Sequence, residues 1–357
     1  MAKIKFALLG CGRISKKHAE ALAALKGAEL AAVCDLDEEK ARQTGEKLGV
    51  PHYLNYDVML SKEEVDVVNI LTPSGMHAEH TIGIVSDYKK HIVCEKPMAL
   101  TLEDADRMIR VCNENGVKLF VVKQNRYNLP VIKLREAIEK QRFGKLVLGT
   151  VRVRWSRDQK YYDRDRWRGT WAWDGGVLAN QASHHIDLLE WMMGEPIEVS
   201  AAITTRLVNI EVEDTAVATI RFANGALGVI EATTATRPRD LEGSISILGE
   251  KGTVEIGGFA MNEMKVWQFA DETPEDREVM GKFRENPPNV YGFGHVRYLQ
   301  HVIDCLKNHK KAMVDGLEGR KSLELITALY ESAETGKFVK IEKAKGKCKL
   351  GVKNGQL

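Results

Sequence analysis

Residue types that could do chemistry fall at three places in the 357-residue chain. Asn180, His184 and Asp187 follow Asp174-Gly175-Gly176 at spacings i, i+4 and i+7. On a helix that spacing sets an amide, an imidazole and a carboxylate on one face. Such a stripe belongs to a core helix with satisfied hydrogen bonds or to one wall of an active site. At the second place, Glu95-Lys96-Pro97 ends an apolar run. An ammonium there can lower the pKa of a substrate hydroxyl and stabilise a developing alkoxide; the plainer reading is a surface Glu-Lys pair. The third is the segment Arg152 to Trp171, where six arginines are interleaved with Tyr and Trp. Guanidinium forks take carboxylates and phosphates in two-point contacts, and aromatic faces stack on flat rings. Within it, Arg157, Tyr162, Trp167 and Arg168 are the expected contacts for an anionic ligand that carries a ring. An RNA partner would use the same residue types. With 52 basic against 50 acidic residues and a net charge of +2, the chain shows no basic footprint for nucleic acid.

The elements that must position these groups can be read from periodicity. Leu178, Ile186, Leu188, Leu189 and Met192 predict a helix of about four turns between the glycine pair and Gly194-Glu195-Pro196. Near the start, Ile4–Leu9 reads as a strand, followed by Gly10-Cys11-Gly12-Arg13-Ile14-Ser15 and a helix with Ala19, Leu22 and Leu25 on its apolar face. A second strand, Leu30–Cys34, ends on Asp35. Strand, Gly-x-Gly turn, helix, strand and acid together are a dinucleotide-binding pattern. The glycines allow close approach to a pyrophosphate, and the helix N-terminus faces it. Asp35 would accept from the adenosine ribose hydroxyls and repel a 2′-phosphate, which favours NAD over NADP; Arg13 is the residue able to reach a 2′-phosphate. The alternative for Asp35 is a helix cap. A strand over 65–71 then leads into Thr72-Pro73-Ser74-Gly75-Met76-His77, at the carboxyl end where an open parallel sheet binds its ligand. Thr72 is placed to touch the cofactor. His77 and His80 open the following helix, where surface or capping roles are the plainer reading.

After a strand over 117–123 and a bridging helix over 131–141 the pattern changes to alternating strands, with an Asn224-Gly225 hairpin turn. These predict a mainly antiparallel sheet. One face is covered by the Asn180/His184 helix and the bridging helix. The other face needs a cover, which a sheet-to-sheet homo-oligomer, a dimer or tetramer, would supply. The expected fold class is α/β: a Rossmann NAD-binding domain over 1–125, an α+β substrate and oligomerisation domain over 126–342, and a basic tail over 343–357. The six cysteines lack a Cys-x-x-Cys pair or metal-ligand spacing, so reduced thiols, no metal and a cytoplasmic location are expected. No signal peptide or membrane-length apolar run is seen.

The Gly10–Ser15 turn, Glu95-Lys96-Pro97, and Gly175-Gly176 followed by Asn180-x-x-x-His184-x-x-Asp187 resemble the Gfo/Idh/MocA oxidoreductases. The resemblance spans nearly the whole chain. It implies two domains, a bound nicotinamide cofactor and hydride transfer at a sugar or cyclitol carbinol. Lys96 falls on the family's catalytic lysine and His184 on its catalytic histidine. The cofactor contacts it implies are Gly10, Gly12, Arg13, Ile14, Asp35, Thr72, Pro73, His77, Glu95, Lys96 and Gln124. One departure stands out: the usual pattern has Asp where this chain has Asn180. An amide there cannot form a His–Asp relay and would instead orient a substrate hydroxyl.

Val122-Lys123-Gln124-Asn125-Arg126, Tyr161-Tyr162 with Trp167–Trp171, Asn180-Gln181-Ala182-Ser183-His184 and Tyr291–His295 look like one subgroup, the UDP-N-acetylglucosaminuronic acid 3-dehydrogenases of bacterial surface-polysaccharide synthesis. That likeness implies oxidation of a UDP-sugar at C3, with Lys96, Arg126, Arg157, Tyr162, Trp167, Arg168, Asn180, Gln181 and His184 around the substrate. It also implies a 2-oxo acid as reoxidant. The competing expectations are a dehydrogenase of a free sugar or inositol and, from another class, a non-catalytic NAD-sensing regulator.

Overall fold

The structure, a computed structural model, describes residues 2–284, 293–343 and 346–353. The chain divides into two compact units, Met1–Lys123 with His295–Arg320, and Gln124–Gly294 with Lys321–Leu357.

The first unit holds six strands: β1 (Ile4–Leu9), β2 (Ala28–Cys34), β3 (His52–Tyr53), β4 (Val67–Ile70), β5 (His91–Cys94) and β6 (Leu119–Val121). They pair in parallel in the order β3-β2-β1-β4-β5-β6. The central strands are near-continuous apolar runs, buried along most of their length, as a sheet covered by helices on both faces requires. Between β1 and β4 the strand order reverses, which opens a crevice at the carboxyl ends of these strands. Helix caps follow local chemistry: the Asp37 carboxylate accepts from Lys40 N–H before Glu38–Leu48, and the Thr101 hydroxyl accepts from Asp104 N–H before Leu102–Glu114. The sequence boundary at 125 assigns everything beyond it to the second domain. Residues 295–320 belong instead with the first unit. They satisfy its last strand: Val121 N–H donates to the Val314 carbonyl at 3.2 Å, and Phe120 forms an antiparallel bridge with Asp315.

The second unit is built on an eight-stranded sheet of β7 (Leu146–Arg154), β8 (Pro196–Thr204), β9 (Thr215–Phe222), β10 (Leu227–Thr233), β11 (Glu242–Gly249), β12 (Gly252–Gly257), β13 (Glu263–Phe269) and β14 (Val339–Lys340). The order is β13-β12-β11-β7-β10-β9-β8-β14, antiparallel throughout except for the parallel pair β7 and β10. Strands such as β9 alternate buried and exposed residues, so one face is core and the other is open. The helix Ser183–Met193 packs on β7, β11 and β10, and the helix Leu129–Glu139 on β12. Nearly every side chain of Ser183–Met193 is buried. The polar members of that helix must therefore find partners inside the protein.

Candidate active site

In the first unit the glycine-rich turn leaves β1 at Gly10, where φ is +106° and a Cβ would lie 2.8 Å from the Leu71 carbonyl group. No side chain fits there. At Gly12 a Cβ would meet nothing within 4 Å, which leaves open space above the turn for a phosphate. Asp35 is locked under this turn. Its Oδ2 accepts from Cys11 N–H at 2.7 Å and its Oδ1 from Asp37 N–H at 2.9 Å. The cap of the next helix is Asp37, so Asp35 does not serve as one. Exposed Arg13 and half-buried Ile14 lead into the helix Ser15–Ala23. An acid fixed at the end of β2, a side-chain-free turn and a helix start are the parts a dinucleotide needs, and the residues fit one.

Across the crevice, Thr72 and Pro73 are half-buried, and Thr72 Oγ1 lies 3.0 Å from His80 Nδ1. His77 corrects the surface-or-capping reading. It is buried, with Nδ1 2.8 Å from the Pro97 carbonyl and Nε2 2.8 Å from the Thr72 carbonyl. The ring ties the loop after β4 to the turn after β5. Burial holds His77 below its usual pKa, and a neutral ring donates to only one of the two carbonyls at a time.

Lys96 is half-buried at the end of β5, and its N–H donates to Glu95 Oε2 at 3.0 Å. Glu95 Oε1 lies 3.1 Å from His18 Nε2, and His18 Nδ1 lies 2.9 Å from Asn69 Nδ2. The Asn69 amide N–H can only donate, so His18 Nε2 carries the ring proton and gives it to Glu95. Burial alone would raise the Glu95 carboxyl; the hydrogen bond from His18, with the Lys96 charge nearby, takes it down to about 2. His18, Glu95 and His295 bring metal-capable atoms within 4.8 Å of one another.

In the second unit the predicted four-turn helix is two pieces: a π-helical turn, Val177–Gln181, and the α-helix Ser183–Met193. The cause lies at Gly176. A methyl group there would overlap the Glu213 carboxyl. Glu213 takes the first donors of the turn, Leu178 N–H at 2.9 Å on Oε1 and Val177 N–H at 3.1 Å on its carbonyl. Ala182 N–H then reaches back five residues to Val177 at 2.8 Å. Glu213 also accepts from the Tyr330 hydroxyl at 2.8 Å. Burial, with the Asp174 charge adding, pushes its carboxyl up to about 7 against the pull of those hydrogen bonds.

Asn180 sits in the π turn, half-buried, and donates from its amide to the Asp174 carboxylate. It is therefore out of simple α-helical register with His184. Gln181 is buried in the same turn. His184 is 7% exposed, and Gln124 Nε2 lies 3.0 Å from its Nε2. Gln124, expected at the cofactor, thus contacts the imidazole. Asp187 is held by Arg126 through two hydrogen bonds of 2.8 Å, and the guanidinium lies 4.7 Å over the Trp191 ring. Arg126 is 3% exposed. Its expected substrate contact is corrected to an internal ion pair.

The arginine and aromatic segment is partly satisfied by itself. Arg157 Nη1 donates to Asp240 at 2.9 Å and stands over Trp155 and Tyr161. Arg168 donates to Asp165 at 2.8 Å and to the Tyr161 hydroxyl at 2.9 Å, stacked on half-buried Trp167. Both arginines keep part of their side chains exposed. Tyr162 corrects the sequence reading: it is buried, its hydroxyl 3.1 Å from Thr234 Oγ1, and burial pushes its pKa up to about 12.

Sequence reasoning misses Asp174, Glu213 and His18. His18 has a signal, being a histidine beside Ala19 on the buried face of the first helix. Asp174 stands next to the glycine pair and reads there only as a turn boundary. Glu213 lies in a distant loop, and nothing local announces it.

Two family models cover most of the chain: "Oxidoreductase family, NAD-binding Rossmann fold" matches residues 4–123, and "Oxidoreductase family, C-terminal alpha/beta domain" matches residues 135–341. The chain belongs to the Gfo/Idh/MocA oxidoreductase family. It is 31% identical over 351 residues to the myo-inositol 2-dehydrogenase of Thermotoga maritima, covering 96% of this chain and 100% of that protein. Among solved structures it is similar to the WlbA dehydrogenase of Bordetella pertussis, crystallised with NADH and UDP-GlcNAcA. The identity is 44%, the TM-score 0.88, and 95% of this chain and 98% of that chain are covered. The WlbA dehydrogenase of Chromobacterium violaceum, solved with the same two ligands, gives 42% identity, a TM-score of 0.89 and coverage of 95% and 96%. As a family member the chain is an NAD-dependent dehydrogenase of a sugar or polyol. Among the described residues no helix is long and apolar enough to cross a membrane.

Proposed function

We propose that the protein oxidises the C3 hydroxyl of UDP-N-acetylglucosaminuronic acid to the ketone, in the cytoplasm, for bacterial surface-polysaccharide synthesis. One observation carries this reading: identities of 44% and 42% to two dehydrogenases crystallised with that nucleotide sugar, each covering 95% of the chain. Gly10, Gly12, Arg13, Ile14, Asp35, Thr72 and Pro73 hold NAD, with buried His77 fixing the Thr72 loop behind them, and NAD when bound takes up the hydride from the carbinol carbon. Lys96 and His184 share the proton. One accepts it from the C3 hydroxyl while the other polarises the oxygen. Glu95 fixes the backbone that carries Lys96. Asn180 and Gln181 orient the sugar. Arg157, Arg168 and Trp167 meet the diphosphate, carboxylate and uracil, the two arginines through the parts of their side chains left exposed. The protein works as a homo-oligomer, and a 2-oxo acid reoxidises the cofactor.

The test is to incubate the protein with NAD and UDP-N-acetylglucosaminuronic acid and follow, by mass spectrometry, a product lighter by two hydrogens with the ketone at C3. Absence of turnover with every UDP-uronic acid removes the reading. The 31% identity to a myo-inositol 2-dehydrogenase supports a second one, oxidation of a free polyol. Under it, UDP gives no rise in melting temperature and myo-inositol is turned over.

A further inference from the structure

A carboxylate accepts hydrogen bonds and donates none. Whichever end of the Asn180 amide touches Asp174 must therefore be the NH2 end, and the contact is there: Asn180 Nδ2 donates to Asp174 Oδ1. The amide oxygen is the end turned away from Asp174. The other oxygen, Asp174 Oδ2, accepts from Gly169 N–H at 2.9 Å, inside the arginine and aromatic segment. Asp174 is 1% exposed, so this carboxylate has little water to fall back on. A carboxylate at position 180 would face it charge to charge, and one of the two would have to hold a proton. The identities of residues 174 and 180 are thus coupled: with Asp at 174, an amide at 180 is the group that bonds without a shared proton.

We infer that Asp174 is a positioning residue that fixes which end of the Asn180 amide is presented to substrate, so that position 180 offers a neutral acceptor to a substrate hydroxyl. The inference rests on the proposed role of Asn180 in orienting a hydroxyl. It adds why that role needs a second residue outside the polar stripe.

Asp174→Asn separates orientation from folding. The substituted amide keeps its oxygen on Gly169 N–H and offers its NH2 to position 180. The Asn180 amide then turns to give its oxygen to that NH2 and its own NH2 to the substrate. We expect kcat to fall about tenfold, as for loss of one hydrogen bond in the transition state, with KM changed less than about threefold and the melting temperature nearly unchanged. Adding Asn180→Asp to this variant returns an acceptor: the carboxylate introduced at position 180 receives the NH2 from position 174 on one oxygen and presents the other. The double variant should recover kcat to within about threefold of wild type. D174N with wild-type kcat overturns the inference. So does a double variant as slow as D174N, or a kcat loss that follows a loss of melting temperature. The comparison uses whichever substrate the wild type oxidises, nucleotide sugar or free polyol. A wild type active only on free polyols removes the nucleotide-sugar reading and leaves this comparison intact.

Discussion

Gln124 donates its amide N–H to His184 Nε2 at 3.0 Å, so the lone pair that would receive a proton is already engaged by a neutral donor. If His184 takes a proton on that nitrogen, as proposed, the amide must turn and offer its oxygen, which has no hydrogen-bond partner among the described residues. Gln124 can serve both protonation states by rotating about one bond. Gln124→Leu removes both. We expect kcat to fall about tenfold and the pH–rate profile to shift, because the imidazolium loses its acceptor. A profile superposable on wild type would leave Gln124 without this role.

The Arg126–Asp187 pair is buried on both sides, at 3% and 2% of side-chain exposure. Removing one member strands the other charge, at about 3–5 kcal/mol. Asp187→Ala should lower the urea midpoint accordingly, while Arg126→Met with Asp187→Leu should regain most of it. An Arg126→Ala protein of unchanged stability and raised KM would return Arg126 to the substrate.

Glu95 sets an acid limit. Its folded pKa, about 2, lies below the ordinary value of 4.5. Its stabilisation is therefore complete above about pH 4.5 and is lost as pH falls through that window toward 2. Glu95→Gln should be less stable than wild type at pH 7 and converge with it as the pH approaches 2. Denaturant melts at stepped pH read the gap, and a gap that stays constant with pH would rule this out.

Glu213 has the opposite sign. Folded, it keeps its proton up to about pH 7, whereas the ordinary value is 4.5. Stability falls as pH rises through that window, by at most about 3 kcal/mol. Glu213→Gln should match wild type near pH 5 and melt higher at pH 8. Equal melting temperatures at both pH values would contradict this.

The open sheet face shows Val217 at 51% and Leu227 at 48% exposure on neighbouring strands β9 and β10. If a second copy covers this face, Val217→Lys with Leu227→Lys should lower the assembly state seen by analytical ultracentrifugation. An unchanged sedimentation coefficient would place the oligomer contact elsewhere.

Much of this is legible in the chain because the signals are local. Gly10, Gly12 and Asp35 fall within one strand–turn–helix–strand unit, and β9 with β10 is announced by alternation and Asn224-Gly225. The helix Glu38–Leu48 has the ends its capping residues give it. What is not legible depends on residues far apart in sequence. The π turn at Val177–Gln181 exists because Glu213, more than thirty positions on, takes its first N–H groups. Arg126 and Tyr162 have the composition of ligand contacts, but Asp187 and Thr234 reach them first. Periodicity reports which side of an element is buried, and cannot report which polar group lies beneath it.

The return of residues 295–320 to the first unit has a consequence for how the protein is made. Every strand of the large sheet but β14 is synthesised before His295. Until then the dinucleotide-binding sheet lacks the segment that bonds Val121 and bridges Phe120 along β6. A nascent chain carrying residues 1–123 therefore waits with a bare apolar edge while the ribosome delivers the other unit. On the ribosome, the unit first in sequence stays incomplete until Arg320 has been added, and that interval is when a chaperone or a premature strand partner would find it.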